Sequence, residues 1–170
     1  VYQADLPSGK TIAVRAFTSA REDRTETYGR ISEYLQLKRL NALVNFRYFE
    51  KGIRASDGRF YPLVTMDWVP GATLYEWTQK QCRQRNTQAL RQVTDRWVEM
   101  VDELASQSIA HGDLQHANVL VTQSGELKLV DYDSMCVPKL VGRKNLESGV
   151  KPYQHPGRNE QTRLSPSLDN

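Results

Sequence analysis

Cysteine is scarce in this chain: two in 170 residues, Cys82 and Cys136. They stand far apart and flank no metal-like spacing. That argues against a disulfide-stapled scaffold and favours unpaired thiols in a reducing compartment, so the cytoplasm is the expected location. Long hydrophobic runs are missing too. None approaches the roughly 18–20 apolar residues that span a bilayer, so no direct membrane contact is expected. Charge of one sign is also lacking. With 23 Lys+Arg against 20 Asp+Glu the formal charge is +3, and acids and bases are interspersed. That is too weak a bias for a nucleic-acid or membrane surface. No internal repeat or low-complexity tract is visible.

What is present suits a globular protein: 39% hydrophobic and 25% charged residues, enough chain for one medium domain or two small lobes. Residues 1–4 and 10–17 predict two strands joined by the turn "PSG", with Gly9 free to take positive φ. Tyr28, Ile31 and Leu35 recur at helical spacing within a helix from about 24 to 40. Arg21, Arg24 and Arg30 are taken as its solvated face. Residues 43–53 and 59–69 predict a second hairpin around "SDG". Pro70 and Gly71 break the pattern. Thr73 and Glu76 then have the spacing of a capping box and open a short helix. Leu90, Val93, Trp97, Met100 or Val101, and Leu104 mark an amphipathic helix over 88–106. "NVLVTQSGELKLVDYD" predicts two strands around Ser124–Gly125. Beyond 134 periodicity fades.

The segment "HGDLQHANVLV" (111–121) and the "DYD" that follows at 131–133 carry the chemistry. Asp113 and Asn118 fall on a loop leading into a strand, and Asp131 ends the next strand. A tight hairpin brings Asn118 and Asp131 to one end. A carboxylate and an amide oxygen are hard ligands suited to Mg²⁺ on a nucleotide's phosphates. A second carboxylate, Asp113, is then left to take a proton from an attacking hydroxyl. His111 is read as a buried brace for this loop. His116, His155 and Cys136 have no metal-site spacing.

These residues resemble the protein kinase fold, in its bacterial eukaryotic-like branch or a close relative. "HGDLQHAN" is similar to the catalytic loop H-R-D-L-x-x-x-N, and "DYD" falls where kinases carry D-F-G. The resemblance implies Asp113 as catalytic base, with Asn118 and Asp131 as metal ligands. "IAVRAF" resembles V-A-I-K, which places Arg15 as the phosphate anchor. Its carboxylate partner would be Glu33, with Glu26 in reserve. "VTMDWVPGATL" resembles the hinge, with Met66 as gatekeeper and the backbone of Asp67, Trp68 and Val69 facing adenine. Ala13 and Leu120 would sandwich the adenine ring. "KPYQHPG" resembles the end of an activation segment. The implied fold is α+β and two-lobed: a small antiparallel-sheet lobe over 1–68 and an incomplete, mostly helical lobe over 69–170. The implied ligands are ATP and Mg²⁺, and the implied partner is a protein substrate phosphorylated on Ser or Thr.

Four positions depart from that pattern. Arg15 stands for lysine, Gly112 for the arginine of H-R-D, Gln115 for a lysine, and Asp133 for the glycine of D-F-G. The same loop also resembles aminoglycoside and choline phosphotransferases, so a small-molecule kinase is one alternative. A pseudokinase acting as a binding or scaffold module is another. A glycine-rich loop is expected ahead of Val1. "SLDN" resembles the opening of a central helix, with Asp169 in place of its buried aspartate, so further helices are expected after it. Leu140, Val141, Leu146, Val150 and Leu164 would then lack burial partners. On that ground residues from about 138 onward are expected to be mobile, and 10–69 and 111–133 ordered.

Overall fold

The computed structural model describes residues 1–18, 22–38, 40–145, 149–159 and 161–169, the Glu22 side chain excepted. The chain divides into two units, Val1–Lys38 with Val44–Trp68 and Arg39–Leu43 with Val69–Asn170.

The first unit contains β1 (Tyr2–Asp5), β2 (Thr11–Ala16), α1 (Glu22–Leu37), β3 (Phe46–Arg54) and β4 (Phe60–Asp67). The strands form one antiparallel sheet in the order β1-β2-β4-β3. Gly9 turns β1 into β2 at φ +79°, and Gly58 turns β3 into β4 at φ +83°, where a side chain would strain the backbone. The β3–β4 register shifts between Phe49 and Ile53. A Cβ on Gly52 inside that bulge would overlap the Leu63 side chain.

Helix α1 buries Arg24, Thr27, Tyr28 and Ile31, one helical face by spacing. Tyr28 stacks on Tyr48 at 5.1 Å and meets Phe46 edge-on at 5.7 Å. The basic stretch is therefore not a uniformly solvated face. The Arg24 guanidinium lies 4.0 Å from the Phe17 ring centroid, where its charge faces the ring's negative quadrupole and its stem covers apolar surface. Arg30 pairs with Glu26 at 2.7 Å one turn away, and Arg21 lies outside the described residues.

The second unit holds β5 (Gly71–Thr73), α2 (Leu74–Arg83), α3 (Thr87–Ser106), β6 (Val119–Thr122) and β7 (Leu127–Leu129), with short 3-10 turns at Pro138–Leu140 and Lys151–Tyr153. Its sheet runs β5-β6-β7, antiparallel throughout. Pro70–Gly71, expected only as a break, leads into β5. A Cβ on Gly71 would come 2.5 Å from the Val121 carbonyl oxygen, so this strand packs against β6 because position 71 has no side chain. Thr73 caps α2 in a reciprocal box with Glu76. Helix α3 buries Val93, Met100 and Leu104. Gly125 turns β6 into β7 at φ +78°.

The stretch after 134 contributes more core than expected. Met135, Cys136, Val137 and Leu140 have no exposed surface, and Leu164 and Leu168 are buried. Cys136 pairs with Ala110 through backbone bonds of 3.1 and 2.8 Å. Gly142 donates to Leu164, and Leu164 donates back to Arg143. The expectation that Leu140 and Leu164 lack burial is thus corrected: return pairing of 142–143 with 164 closes the stretch on its own unit. Val141 and Val150 are exposed, and Leu146 lies outside the described residues. No helix among the described residues is long and apolar enough to cross a membrane.

Candidate catalytic site

The loop His111–Asn118 connects the end of α3 to β6, and its backbone is held by one carboxylate. Asp169 accepts from the His111 amide at 2.5 Å and from the Gly112 amide at 2.8 Å. Gly112 is buried at φ +79°, and a Cβ there would collide with the Ser134 carbonyl. Backbone conformation and space therefore both require glycine where the resembling pattern has arginine. His111 is fully buried. Its Nε2 hydrogen-bonds the Val130 carbonyl at 2.9 Å, and its ring meets Tyr132 edge-on at 6.1 Å. Nε2 therefore carries the proton, and the ring ties the loop to the end of β7 as a brace.

Asp113 and Asn118 form one hydrogen-bonded pair. The Asn118 Nδ2 donates to the Asp113 backbone oxygen and to its Oδ2, both at 2.9 Å. Gln115 Nε2 also donates to Oδ2, at 3.2 Å. The other carboxylate oxygen, Oδ1, accepts from the Val150 amide at 2.9 Å, so both oxygens of Asp113 are engaged. Pairing of Val119 with Leu129 sets Asn118 opposite Val130, whose amide donates to the Asn118 carbonyl at 3.0 Å. Asp131 is the next residue, held at φ +68°.

The donor set fits a hard cation. The Asn118 amide nitrogen is spent on Asp113, which leaves its amide oxygen as the atom a cation could take, and Asp131 follows Val130, the residue opposite Asn118. Among the described residues no group of three or more His, Cys, Asp or Glu could cage a metal. Two protein oxygens suit Mg²⁺, which commonly keeps waters and completes its shell with phosphate.

The segment 149–158 closes over the same loop. Tyr153 hydroxyl bonds His116 Nδ1, and the Tyr75 ring packs against the same imidazole at 5.1 Å between centroids. Arg158 Nη1 donates to the Gly112 carbonyl at 2.5 Å. Burial lowers the Arg158 pKa from its ordinary value, while the charges of Asp169 and Asp113 act the other way. Sequence reasoning missed Val150, Gln154 and Arg158, because they lie in an aperiodic stretch and no spacing ties them to 111–118.

Two of the other expected residues lie in this unit. Leu120 sits on β6 opposite Thr73 and Lys128. The Val69 amide has no hydrogen-bond partner among the described residues.

In the first unit Ala13 and Met66 are cross-strand partners on β2 and β4, and Arg15 faces Val64. The Arg15 guanidinium lies 5.2 Å from the Phe17 ring centroid. Asp67 pairs with Lys10 at 2.6 Å. The amides of Asp67 and Trp68 donate to Asn45 and Thr11, so these donors are spent inside the unit. Trp68 itself is 40% exposed. Glu33 and Glu26 are exposed, off the buried face of α1, and Arg30 already engages Glu26.

Comparison with known proteins places these features in context. The family described as "Protein kinase domain" matches residues 1–169. Among curated proteins, CBL-interacting protein kinase 16 of Oryza sativa subsp. japonica is 29% identical over 164 residues, covering 91% of this chain and 34% of the relative. The chain thus spans about a third of that relative's length.

Proposed function

Because this chain belongs to the protein kinase domain family, we propose that it carries the catalytic loop of an ATP-dependent kinase that phosphorylates Ser or Thr hydroxyls of a protein. The rice relative's name, a protein kinase, supports a protein as acceptor. The observation that carries the reading is the Asp113–Asn118 pair at the mouth of the β6–β7 hairpin, with Asp131 just past β7.

Asp113 is the general base in this reading. It orients the acceptor hydroxyl and takes its proton as the acceptor oxygen bonds to the γ-phosphorus and the bond to the bridging oxygen breaks. For that, the acceptor hydroxyl displaces the Val150 amide from Oδ1. Asn118 and Asp131 would hold Mg²⁺, which when bound would supply positive charge against the phosphate oxygens. Most of the remaining work is positioning, since phosphoryl transfer needs little covalent chemistry from the protein. Arg15 is proposed to steady the phosphates, with Glu33 orienting it. Ala13, Met66, Asp67, Trp68, Val69 and Leu120 are proposed as adenine contacts.

One observation favours a second reading as a binding module: both oxygens of Asp113 are already occupied. Replacing Asp113 by Asn in the intact protein separates the two. A working base predicts turnover lower by about 10²–10⁴-fold with nucleotide affinity unchanged. Equal turnover in Asp113→Asn and wild type would remove Asp113 from the chemistry, and nucleotide binding without turnover in wild type would establish the binding module.

A further inference from the structure

We infer that Arg158 is the positioning residue of the catalytic loop, holding the Gly112–Asp113 peptide from its carbonyl side while Asp169 holds the same loop from its amide side. The inference rests on the reading of Asp113 as the base. The loop cannot stabilise itself at position 112: φ is +79° and a Cβ would strike the Ser134 carbonyl, so no side chain is tolerated there. Support must come from elsewhere in the chain, and it arrives on two sides. The Asp169 carboxylate takes the amides of His111 and Gly112. The Gly112 carbonyl, which belongs to the peptide bond leading into Asp113, accepts from Arg158 Nη1 at 2.5 Å and from Gln154 Nε2 at 3.5 Å.

Arg158 also donates to Gln154 Oε1, so the amide and the guanidinium fix each other while both serve one carbonyl. A guanidinium suits this position because its planar fork presents several donors in fixed directions. A lysine ammonium is a compact point charge on a flexible stem and lacks that fork. The side chain is half-buried, with the Asp169 and Asp113 carboxylates acting on its charge. A guanidinium stays protonated in such a place, so it offers a permanent positive charge that the Asp169 and Asp113 carboxylates both feel. Nothing places Arg158 on the reacting atoms. It acts through Gly112, and a shift of Asp113 by a fraction of an ångström is the expected consequence of losing it.

The test compares Arg158→Ala and Arg158→Lys with wild type in the intact protein, by steady-state kinetics and by amide hydrogen exchange. Arg158→Ala should lower kcat by about 10- to 100-fold, as for a small misplacement of a reacting group, with KM for ATP and for acceptor unchanged. Arg158→Lys should recover part of that loss, because the charge returns without the fork. The amides of His111 and Gly112 are bonded to Asp169 and not to Arg158, so they report loop motion. They should exchange faster in Arg158→Ala, while β6 and β7 keep their protection. Unchanged exchange at His111 and Gly112, unchanged kcat, or a uniform loss of protection across the unit would each overturn the inference. If wild type shows no turnover, the kinase reading falls while the exchange comparison still decides whether Arg158 positions the loop.

Discussion

Asp131 holds a backbone conformation that few residues other than glycine adopt, φ +68°. Asp and Asn tolerate it better than other L-residues, because their short polar side chains bond locally. Asp131→Asn therefore keeps the backbone while removing the charge offered to a cation. The expected outcome is loss of Mg²⁺-dependent nucleotide binding in the intact protein with an unchanged melting temperature. Calorimetric titration with and without Mg²⁺ checks it, and undiminished Mg·ATP affinity would take Asp131 out of the metal site. Asp113, Asn118 and Asp131 were legible in the sequence, because the order loop, strand, turn, strand depends on local signals. Their supports were less so. Arg158, Gln154 and Val150 reach the same loop from the irregular segment after Gly149, and no periodicity encodes an approach across that much chain.

Helix beginnings and ends differ in how openly the sequence announces them. The start of α2 is explicit: Thr73 and Glu76 satisfy each other's orphan donors in a capping box. The Thr73 hydrogen bonds hold the Glu76 carboxyl below its ordinary pKa, the side-chain bond being the larger cause. A depressed carboxylate contributes stability above its unfolded pKa and loses it as pH falls through the folded one. Thr73→Ala should cost about 1 kcal/mol at neutral pH, the usual value for losing such a cap. It should also flatten the acid side of the stability profile, which denaturant titrations at neutral and acid pH would reveal; an unchanged acid limb would show that the box contributes nothing there.

The helix ends are hidden. Both α2 and α3 finish in paired backbone bonds, Arg85→Cys82 with Asn86→Gln81 and Ser108→Ala105 with Ile109→Leu104. That arrangement usually recruits glycine at the left-handed position, yet Arg85 and Ser108 occupy it at φ +54° and +53°. Strand β5 is hidden for a related reason: three residues after a proline have no pattern of their own and exist as a strand only through β6.

For the molecule as a whole, the two thiols offer a probe of its packing. Cys82 is exposed and Cys136 is buried. Burial, with a smaller contribution from the Asp169 charge, pushes the Cys136 thiol up to about 11. A thiol reagent at mildly alkaline pH should therefore modify one cysteine quickly, and the second only when the second unit opens. Two equally fast thiols would contradict the packing of 135–140. A thiol with a raised folded pKa stabilises the protein fully below its unfolded pKa. That contribution is lost as pH rises from the ordinary thiol value to about 11. Urea midpoints across that window should fall for wild type more than for Cys136→Ala.

By itself the sequence determined the order of every strand and helix but β5, the two glycine hairpins of the first sheet, the amphipathic face of α3 and the placement of Asp113 and Asn118 ahead of β6 and of Asp131 just after β7. Each of these follows from residues a few positions apart, where periodicity, turn chemistry and capping act. Tertiary structure alone decided that Arg24 is buried against Phe17, that Leu140 and Leu164 join the core, and that Asp169 and Arg158 bond the amide and the carbonyl of Gly112. The physical reason is distance along the chain. A hydrogen bond or a buried contact between remote residues leaves no local pattern, and its energy is gained only once the fold has brought the two segments together.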